Sequence, residues 1–207
     1  MKKKNGRESS DYSSHELVVP LSDREVSAEI IDGCRVGNRD AFRALYELHK
    51  DHVYSIAVYF FHGDRAIAAD ATQQVFLKLL SNIHQFRGDA EFSTWLYRLV
   101  VNVCLDTARR RKSEPSFVAN SSLEIIAGPA LQAEEYERAQ AARSVRSAVS
   151  VLPAKFRIAI LLRYFEDLSY EQMARVLGCS MGTVASRLSR AHRMLAERLK
   201  AFEGGTR

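Results

Sequence analysis

The chain has 207 residues, of which 46% are hydrophobic and 27% are charged. This length allows one ordinary domain or two small ones, and the composition is that of a soluble protein with a real apolar core. The net charge of +5 is a mild excess that favours polyanionic partners such as nucleic acid without identifying one.

The cysteines and histidines give no sign of a metal or catalytic centre. Cys34, Cys104 and Cys179 are odd in number and far apart, which argues against a disulfide framework and a structural zinc site. The 6 histidines and the carboxylates form no recognisable metal or acid–base constellation. We therefore expect no cofactor and no enzymatic activity, with the cysteines buried in a reducing compartment.

The N-terminal residues 1–22 are polar and Ser-rich, which predicts a flexible tail. Its basic start, Met1–Lys4, is not followed by an apolar stretch, so it is not a signal peptide. The longest apolar run, at 56–61, is far shorter than the ~18 residues of a membrane span. We expect a cytoplasmic protein without direct membrane insertion.

From about Asp23 onwards the apolar pattern is helical, and glycine and proline are scarce. The exception is the stretch 113–132, which contains two prolines, a glycine and several serines and loses helical periodicity. The sequence thus predicts an all-α fold with two small domains, over 23–112 and 133–207, joined by a flexible linker over 113–132.

The segment 64–85 is predicted to be one helix with two distinct faces. The face expected to be buried carries Ile67, Ala71, Val75 and Leu79. Another face carries Asp70, Gln73, Gln74, Leu77 and Leu80. Leucines beside an acid and amides are typical of a half-polar protein interface. Periodicity alone fits equally well a wide core stripe that includes Leu77 and Leu80.

The next segment combines an aromatic loop with a basic helix. In the loop 86–92 Gly88 is expected at a turn, and Ser93 or Thr94 is expected to be the N-cap of the helix. The polar stripe of that helix carries Arg98, Asn102, Asp106 and Arg109, and its end is the basic run 109–112. Cationic stripes beside aromatic loops suit opened DNA, because aromatics stack on unpaired bases while arginines bind phosphates.

Two alternatives apply to this segment. The aromatic residues can instead be core residues, an interpretation that we favour for Trp95 and leave open for Phe86. The basic run can simply complement the negative end of the helix dipole.

The C-terminal domain contains a predicted helix-turn-helix. Ser169 is a good N-cap with Gln172 completing a capping box, and Gly178 is placed to end this helix in a left-handed conformation. After a turn over 179–182, a second helix is expected from about Thr183. Its core face carries Val184, Leu188, Ala191 and Leu195, and its other face carries Ser186, Arg187, Arg190 and Arg193. Such a helix fits the major groove, although surface arginines can also be no more than a solvated face.

Together these motifs resemble the extracytoplasmic-function sigma factors of the sigma-70 family. Asp70–Leu77 is similar to their polymerase-binding motif. The segment 86–111, with Thr94–Arg98 and Asn102, is similar to their −10-reading segment, and Tyr170–Arg190 is similar to their −35-reading helix-turn-helix. The resemblance covers nearly all of the chain from about 25 to 202.

The resemblance implies binding to core RNA polymerase and promoter-specific initiation. The domain over 23–112 would be sigma2-like, and would bind the clamp of the largest subunit and melt the −10 element. The domain over 133–207 would be sigma4-like, and would read the −35 element and touch the flap of the second-largest subunit. Members of this family are commonly controlled by an anti-sigma factor.

The resemblance also implies three sets of site residues. The polymerase-binding set is Asp70, Gln73, Gln74, Leu77 and Leu80. The −10 set is Phe86, Arg87, Gly88, Phe92, Ser93, Arg98, Asn102, Arg109 and Arg110. The −35 set is Ser180, Thr183, Ser186, Arg187, Arg190 and Arg193. Two positions depart from the family pattern: Gln74 stands where Glu is usual, and Ala185 stands where Lys or Arg is usual.

The main alternative is a helix-turn-helix regulator that acts without replacing a sigma subunit. It would explain the C-terminal domain but not the second basic helix and the amphipathic helix before it.

Overall fold

The computed structural model of the chain describes residues 26–113 and 133–204, with side chains over 26–112 and 140–200. Within those ranges the regular structure is helical, which confirms the predicted all-α fold. The N-terminal half comprises α1 (Ala28–Arg35), α2 (Arg39–Phe60), α3 (Arg65–Asn82), a 3-10 helix (Ile83–Gln85) and α4 (Phe92–Ser113). The C-terminal half comprises α5 (Ala133–Ser150), α6 (Ala154–Tyr164), α7 (Tyr170–Leu177) and α8 (Met181–Gly204). The predicted tail and all of the predicted linker except Ser113 lie outside the described residues.

In the N-terminal half, α2 packs against α1 and α3, and α3 packs against α4. The close approach of α1 to α2 depends on Gly33, where a Cβ atom would lie 2.7 Å from the Cβ of Ala41. The turn from α1 to α2 ends at Asn38, whose side chain accepts hydrogen bonds from the first backbone N–H groups of α2.

In the C-terminal half, α8 packs against α5, α6 and α7. The predicted capping box is confirmed: the Ser169 hydroxyl accepts from the Gln172 backbone, and the Gln172 amide oxygen accepts from the Ser169 backbone. Gly178 ends α7 with a φ of 60°, the left-handed conformation that glycine adopts without strain. Local sequence signals therefore identify both ends of the first helix of the helix-turn-helix correctly.

Three predicted helix boundaries are corrected. The helix expected over 64–85 is interrupted, because α3 ends at Asn82 and the last turn tightens into the 3-10 helix. The N-cap expected at Ser93 or Thr94 is wrong, because α4 already begins at Phe92. The first helical hydrogen bond runs from the backbone N–H of Trp95 to the Glu91 carbonyl, at 3.3 Å. The second helix of the helix-turn-helix, α8, begins at Met181 rather than Thr183. The Ser180 hydroxyl caps this helix by accepting a hydrogen bond from the Thr183 backbone N–H at 3.2 Å.

The two halves are packed against each other. Helices α2 and α4 contact α6, and α4 also contacts α7. Buried apolar side chains from both halves form one continuous core. Cys34 and Cys104 are buried in it and Cys179 is half-buried, so the expectation of buried cysteines is confirmed for two of the three. Burial raises the pKa of the Cys104 thiol to about 12.

Candidate polymerase and nucleic-acid interfaces

The outer face of α3 is a candidate protein interface. Asp64 caps the helix by accepting a hydrogen bond from the Ile67 backbone at 3.0 Å. Ala71, Val75 and Leu79 are buried against the core, and Ile67 is partly buried beside them. Leu77 and Leu80, in contrast, are 56% and 50% exposed. The core-stripe interpretation of these two leucines is therefore wrong.

The polar members of the α3 face lie on the helical turns that precede the two leucines. Asp70 and Gln73 are exposed, whereas Gln74 is half-buried. The Gln74 side-chain oxygen accepts a hydrogen bond from Arg110 at 3.2 Å. An amide at position 74 thus links α3 to the basic end of α4, in the place where the family usually has a carboxylate.

A groove of about 540 Å³ lies beside this face, between α2 and α3. Its wall is mainly apolar and includes Leu77, Leu80 and the ring pair Tyr46 and Phe76, whose centroids are 4.8 Å apart. Its rim is charged, with Arg43, Lys50 and Asp51. An apolar groove with a charged rim is the usual receptor for an amphipathic helix of a partner.

The aromatic loop before α4 is largely part of the core. Phe86 and Phe92 are 8% and 7% exposed, and with Trp95 they form a cluster whose ring centroids are 5.6 to 5.8 Å apart. Arg35 donates to the Phe86 carbonyl and lies over its ring. Core packing is thus confirmed for Trp95 and answers the open question for Phe86. The burial of Phe86 and Phe92 argues against direct stacking of bases on these two rings.

The parts of this segment that remain accessible are polar or backbone groups. Arg87, Gly88 and Arg110 are exposed, and Ser93 is half-buried. Gly88 has a φ of 82°, as expected for a turn that glycine makes without strain. The accessible loop therefore offers backbone and a cation, rather than aromatic rings, to a ligand.

The predicted polar stripe of α4 is on the surface. Arg98, Asn102 and Arg109 are exposed, while Asp106 is half-buried. Asp106 accepts from Arg109 at 3.0 Å and lies 3.9 Å from the Lys78 ammonium. Arg98 donates from Nε to the backbone carbonyl of Arg175 on α7, at 2.7 Å. Part of the stripe is thus bonded to the C-terminal half of the same chain.

The second helix of the helix-turn-helix, α8, presents a polar face that is exposed to solvent. Val184, Leu188 and Ala191 are buried and Leu195 is partly buried, as predicted. Ser186, Arg190 and Arg193 are exposed, whereas Arg187 and Thr183 are half-buried. The hydroxyl oxygens of Ser180 and Thr183 are hydrogen-bonded at 3.0 Å at the start of the helix. Ala185 is exposed on this helix, so a longer side chain there would reach solvent.

Sequence reasoning missed a polar cluster between the two halves. Glu166, just after α6, is 3% exposed, and its Oε2 lies 2.7 Å from the Nε2 of His52 on α2. The same oxygen accepts a hydrogen bond from the Tyr97 hydroxyl on α4. At a separate point of contact between the halves, Arg157 on α6 is 8% exposed and donates to the Phe60 carbonyl at 2.8 Å. A signal was available, since Glu166 and Arg157 interrupt apolar runs that otherwise predict core.

The comparisons with known proteins agree with this layout. Residues 45–114 match the family model of sigma-70 region 2, and residues 142–195 match that of sigma-70 region 4. The RNA polymerase sigma-H factor of Pseudomonas aeruginosa is 34% identical over 185 residues, which cover 86% of this chain and 95% of the relative. The sigma-E factor of Escherichia coli is 30% identical, over 87% of this chain and 97% of the relative.

The chain is an extracytoplasmic-function sigma factor of the sigma-70 family. Sigma factors direct RNA polymerase to promoters and are not enzymes. The predicted regions 64–85 and 86–112 of this sigma factor fall within the region 2 match, and its helix-turn-helix falls within the region 4 match.

Solved structures give the same fold. The Bartonella quintana sigma factor RpoE, solved in complex with the anti-sigma factor NepR, is 25% identical, covers 77% of this chain and 96% of its own, and superposes with a TM-score of 0.59. CnrH, solved in complex with the cytosolic domain of CnrY, is 24% identical, covers 84% of this chain and 96% of its own, and has a TM-score of 0.58.

In the part of this sigma factor that the structure describes, no cluster of His, Cys, Asp and Glu is arranged to bind a metal ion. Nor is any helix in those ranges long and apolar enough to cross a bilayer.

Proposed function

We propose that this sigma factor binds the clamp of the largest polymerase subunit through α3, and reads promoters with α4 and α8. The N-terminal half, over the predicted 23–112, would melt and read the −10 element. The C-terminal half, over the predicted 133–207, would read the −35 element and touch the flap of the second-largest subunit.

The observation that carries the polymerase contact is the exposure of Leu77 and Leu80 beside an apolar groove. Two half-exposed leucines on one helix lose contact with water when a partner covers them, and each then contributes to binding. Asp70 and Gln73, at the same surface, would give the contact its specificity.

Leu77→Asp should weaken binding to core polymerase by about tenfold or more, because a charge would replace an apolar contact at the centre of the interface. The affinity can be measured by fluorescence anisotropy of labelled sigma factor titrated with core enzyme. Val36→Asp is a matched control, since Val36 is 83% exposed on the same half and belongs to the end of α1 rather than to α3. Lost helicity of Leu77→Asp, or equal weakening by Val36→Asp, would contradict the proposal.

For the −10 element we assign selection of bases to Asn102 and to the loop Phe86–Ser93. Backbone contacts are assigned to Arg98, Arg109 and Arg110. Because Phe86 and Phe92 are buried, Arg87, Gly88 and Ser93 are the loop members expected to reach DNA directly. Substitutions of Asn102 or Arg87 should change which −10 bases are accepted. A uniform loss over all promoter variants would instead indicate phosphate contacts alone.

For the −35 element we assign the exposed face of α8. Ser180, Thr183 and Ser186 lie at its N-terminal end, where hydroxyl and backbone N–H groups can reach phosphates or base edges. Arg190 is assigned to base reading, and Arg187 and Arg193 to the DNA backbone.

An anti-sigma factor is the expected regulator, and the cytoplasm the expected location. The support comes from two solved structures. RpoE was solved in complex with the anti-sigma factor NepR, and CnrH was solved in complex with the cytosolic domain of CnrY. An apolar groove of about 330 Å³ between the halves, with Tyr59, Tyr164 and Phe165 in its wall, is a surface available to such a partner.

The whole proposal is tested by run-off transcription with sigma-free core polymerase and a promoter library. The expected result is initiation at a small set of promoters that depends on the added protein. Tight binding to DNA by the protein alone, with no association with core enzyme, would support the alternative of a helix-turn-helix regulator that does not replace a sigma subunit.

A further inference from the structure

The contact between the two halves is built around one buried carboxylate. The Glu166 side chain extends from the C-terminal half into the N-terminal half. There it contacts His52 on α2 and Tyr97 on α4, both of which are 1% exposed. Its Oε2 is within hydrogen-bond distance of both side chains. A carboxylate buried this deeply is costly unless it is hydrogen-bonded, and hydrogen bonds to a charged acceptor are stronger than neutral ones. The packing of the halves is therefore specific.

A second polar contact lies at another point of the contact surface between the two halves, which we call the seam. Arg157 donates to the Phe60 carbonyl at the last residue of α2, and to the carbonyls of Ser150 and Leu152 in its own half, at 2.7 to 2.9 Å. Its guanidinium lies 5.2 Å from the centroid of the Phe60 ring. A cation at the C-terminal end of a helix complements both the free carbonyls and the helix dipole.

Closing the halves covers part of the surface assigned to the −10 element. Arg98 is bonded to the Arg175 carbonyl on α7. Arg175 also lines a cleft of about 200 Å³ together with Arg87, Gly88 and Trp95 of the −10 segment. Single-stranded DNA approaching Arg98 and the loop would therefore meet α7 in this arrangement.

The closed arrangement cannot read a promoter. Elements at −10 and −35 are about 25 base pairs apart, or roughly 85 Å along B-form DNA at ~3.4 Å per pair. A compact chain of 207 residues has a radius of gyration of only about 17 Å. Since α4 and α7 touch here, both elements can be reached only after the halves separate.

We infer that Glu166, hydrogen-bonded by His52 and Tyr97, is an autoinhibitory latch that keeps the free sigma factor closed and partly covers its −10 surface. The inference rests on the proposed DNA-reading roles of α4 and α8. Binding to core polymerase, which engages the exposed faces of both halves, supplies the free energy of opening. The apparent affinity of the free chain for −10 DNA is then reduced by the fraction of molecules that are open.

The decisive variant is Glu166→Gln, which keeps the shape of the side chain and removes its charge. Its matched control is Asp167→Asn, because the Asp167 side chain is 87% exposed and its ion pair is to Arg163 of its own half. Asn also tolerates the left-handed backbone of Asp167, whose φ is 47°. Tyr97→Phe removes one hydroxyl from the receiving side and serves as a second variant should Glu166→Gln lose helicity.

The first measurement is small-angle X-ray scattering of the full-length chains. Glu166→Gln, or Tyr97→Phe to a smaller extent, should increase the radius of gyration by a few ångströms over wild type, while Asp167→Asn should not. The second is anisotropy with a single-stranded −10 oligonucleotide from the non-template strand of a promoter transcribed in the run-off assay. The affinity of free Glu166→Gln should rise about tenfold or more.

The outcomes separate this inference from the proposed function. Unchanged scattering for both folded latch variants overturns the latch, even if promoter-specific transcription is normal. Open latch variants with no gain in −10 affinity also overturn it, since the seam would then hide nothing that DNA uses. Absence of promoter-specific transcription by wild type with core polymerase overturns the proposed function, whatever the scattering shows.

Discussion

The two faces assigned to DNA differ in how the rest of the chain treats them. On α4, Arg98 is bonded to a carbonyl of α7 and Arg109 is paired with Asp106. On α8, Arg190 and Arg193 are exposed on the side opposite the core. A basic stripe on a predicted helix therefore identifies a candidate DNA-binding surface. Whether DNA can reach that surface depends on which other elements of the chain pack against it. The −35 face is open in the free chain, and the −10 face is partly covered.

Arg190→Ala gives the largest expected effect at the open face. If Arg190 reads a base, its truncation should cost about 1–3 kcal/mol of −35 binding and relax specificity at one position. Arg187→Ala is the matched comparison: a phosphate contact should weaken all sequences alike and lower the salt slope by about 1. Selection from a randomised −35 element at two salt concentrations measures both.

An unchanged affinity and preference for Arg190→Ala would mean that the wrong face of α8 was placed in the groove. Because Arg190 is exposed and Arg187 is half-buried, loss of structure is the lesser concern for Arg190.

Arg98→Ala tests the covered face. In the holoenzyme it should weaken −10 binding by about 1 kcal/mol, the usual contribution of one hydrogen bond. In the free chain the loss should be smaller, because Arg98 is already bonded to Arg175. The measurement is the affinity for the same −10 oligonucleotide with and without core polymerase. Equal losses in the two states would remove the contrast between the covered and the open face.

Ala185→Arg should strengthen −35 binding several-fold by adding a phosphate contact, and should raise the salt slope by about 1. Position 185 is exposed on α8, so the new side chain fits without repacking the core. Electrophoretic mobility shifts at two salt concentrations can follow the change. Weaker binding at the promoters used by this sigma factor would indicate that those promoters are matched to alanine.

A separate expected effect concerns acid stability at the contact between the two halves. Burial, and then the nearby charge of Arg157, lowers the pKa of His62 from 6.5 to about 4. Among the residues whose side chains the structure describes, the lining of the groove around His62 includes Arg146 and His192 and no carboxylate. The unfolded chain therefore binds the proton more readily, so the free energy of unfolding should decrease as pH falls from about 6.5 to about 4.

His62→Asn should reduce this decrease, because the side chain no longer titrates and Asn accepts the positive φ of 61° at this position. Urea unfolding of the full chain at several pH values gives the measurement. His84→Asn, which removes an exposed histidine, is the control. An identical pH dependence in wild type and His62→Asn would contradict the assignment.

Local signals in the sequence were sufficient for most of the helix-turn-helix. The capping box at Ser169 and the left-handed Gly178 act within one helix, and the structure has both. The buried spacing of Val184, Leu188 and Ala191 was readable for the same reason, since one face of a helix repeats every three to four residues. Periodicity failed on α3, where Leu77 and Leu80 fit both a core stripe and an exposed face.

The sequence by itself determined the all-α class, the order of the three motifs and the residue types at each candidate surface, because these depend on neighbours along one helix. Only the tertiary structure decided which of those residues are accessible. It buried Phe86 and Phe92 together, exposed Leu77, and bonded Arg98 to Arg175 across 77 positions of chain. The partners of Glu166 lie 114 and 69 positions away, and such pairings follow from how whole helices pack rather than from any local pattern.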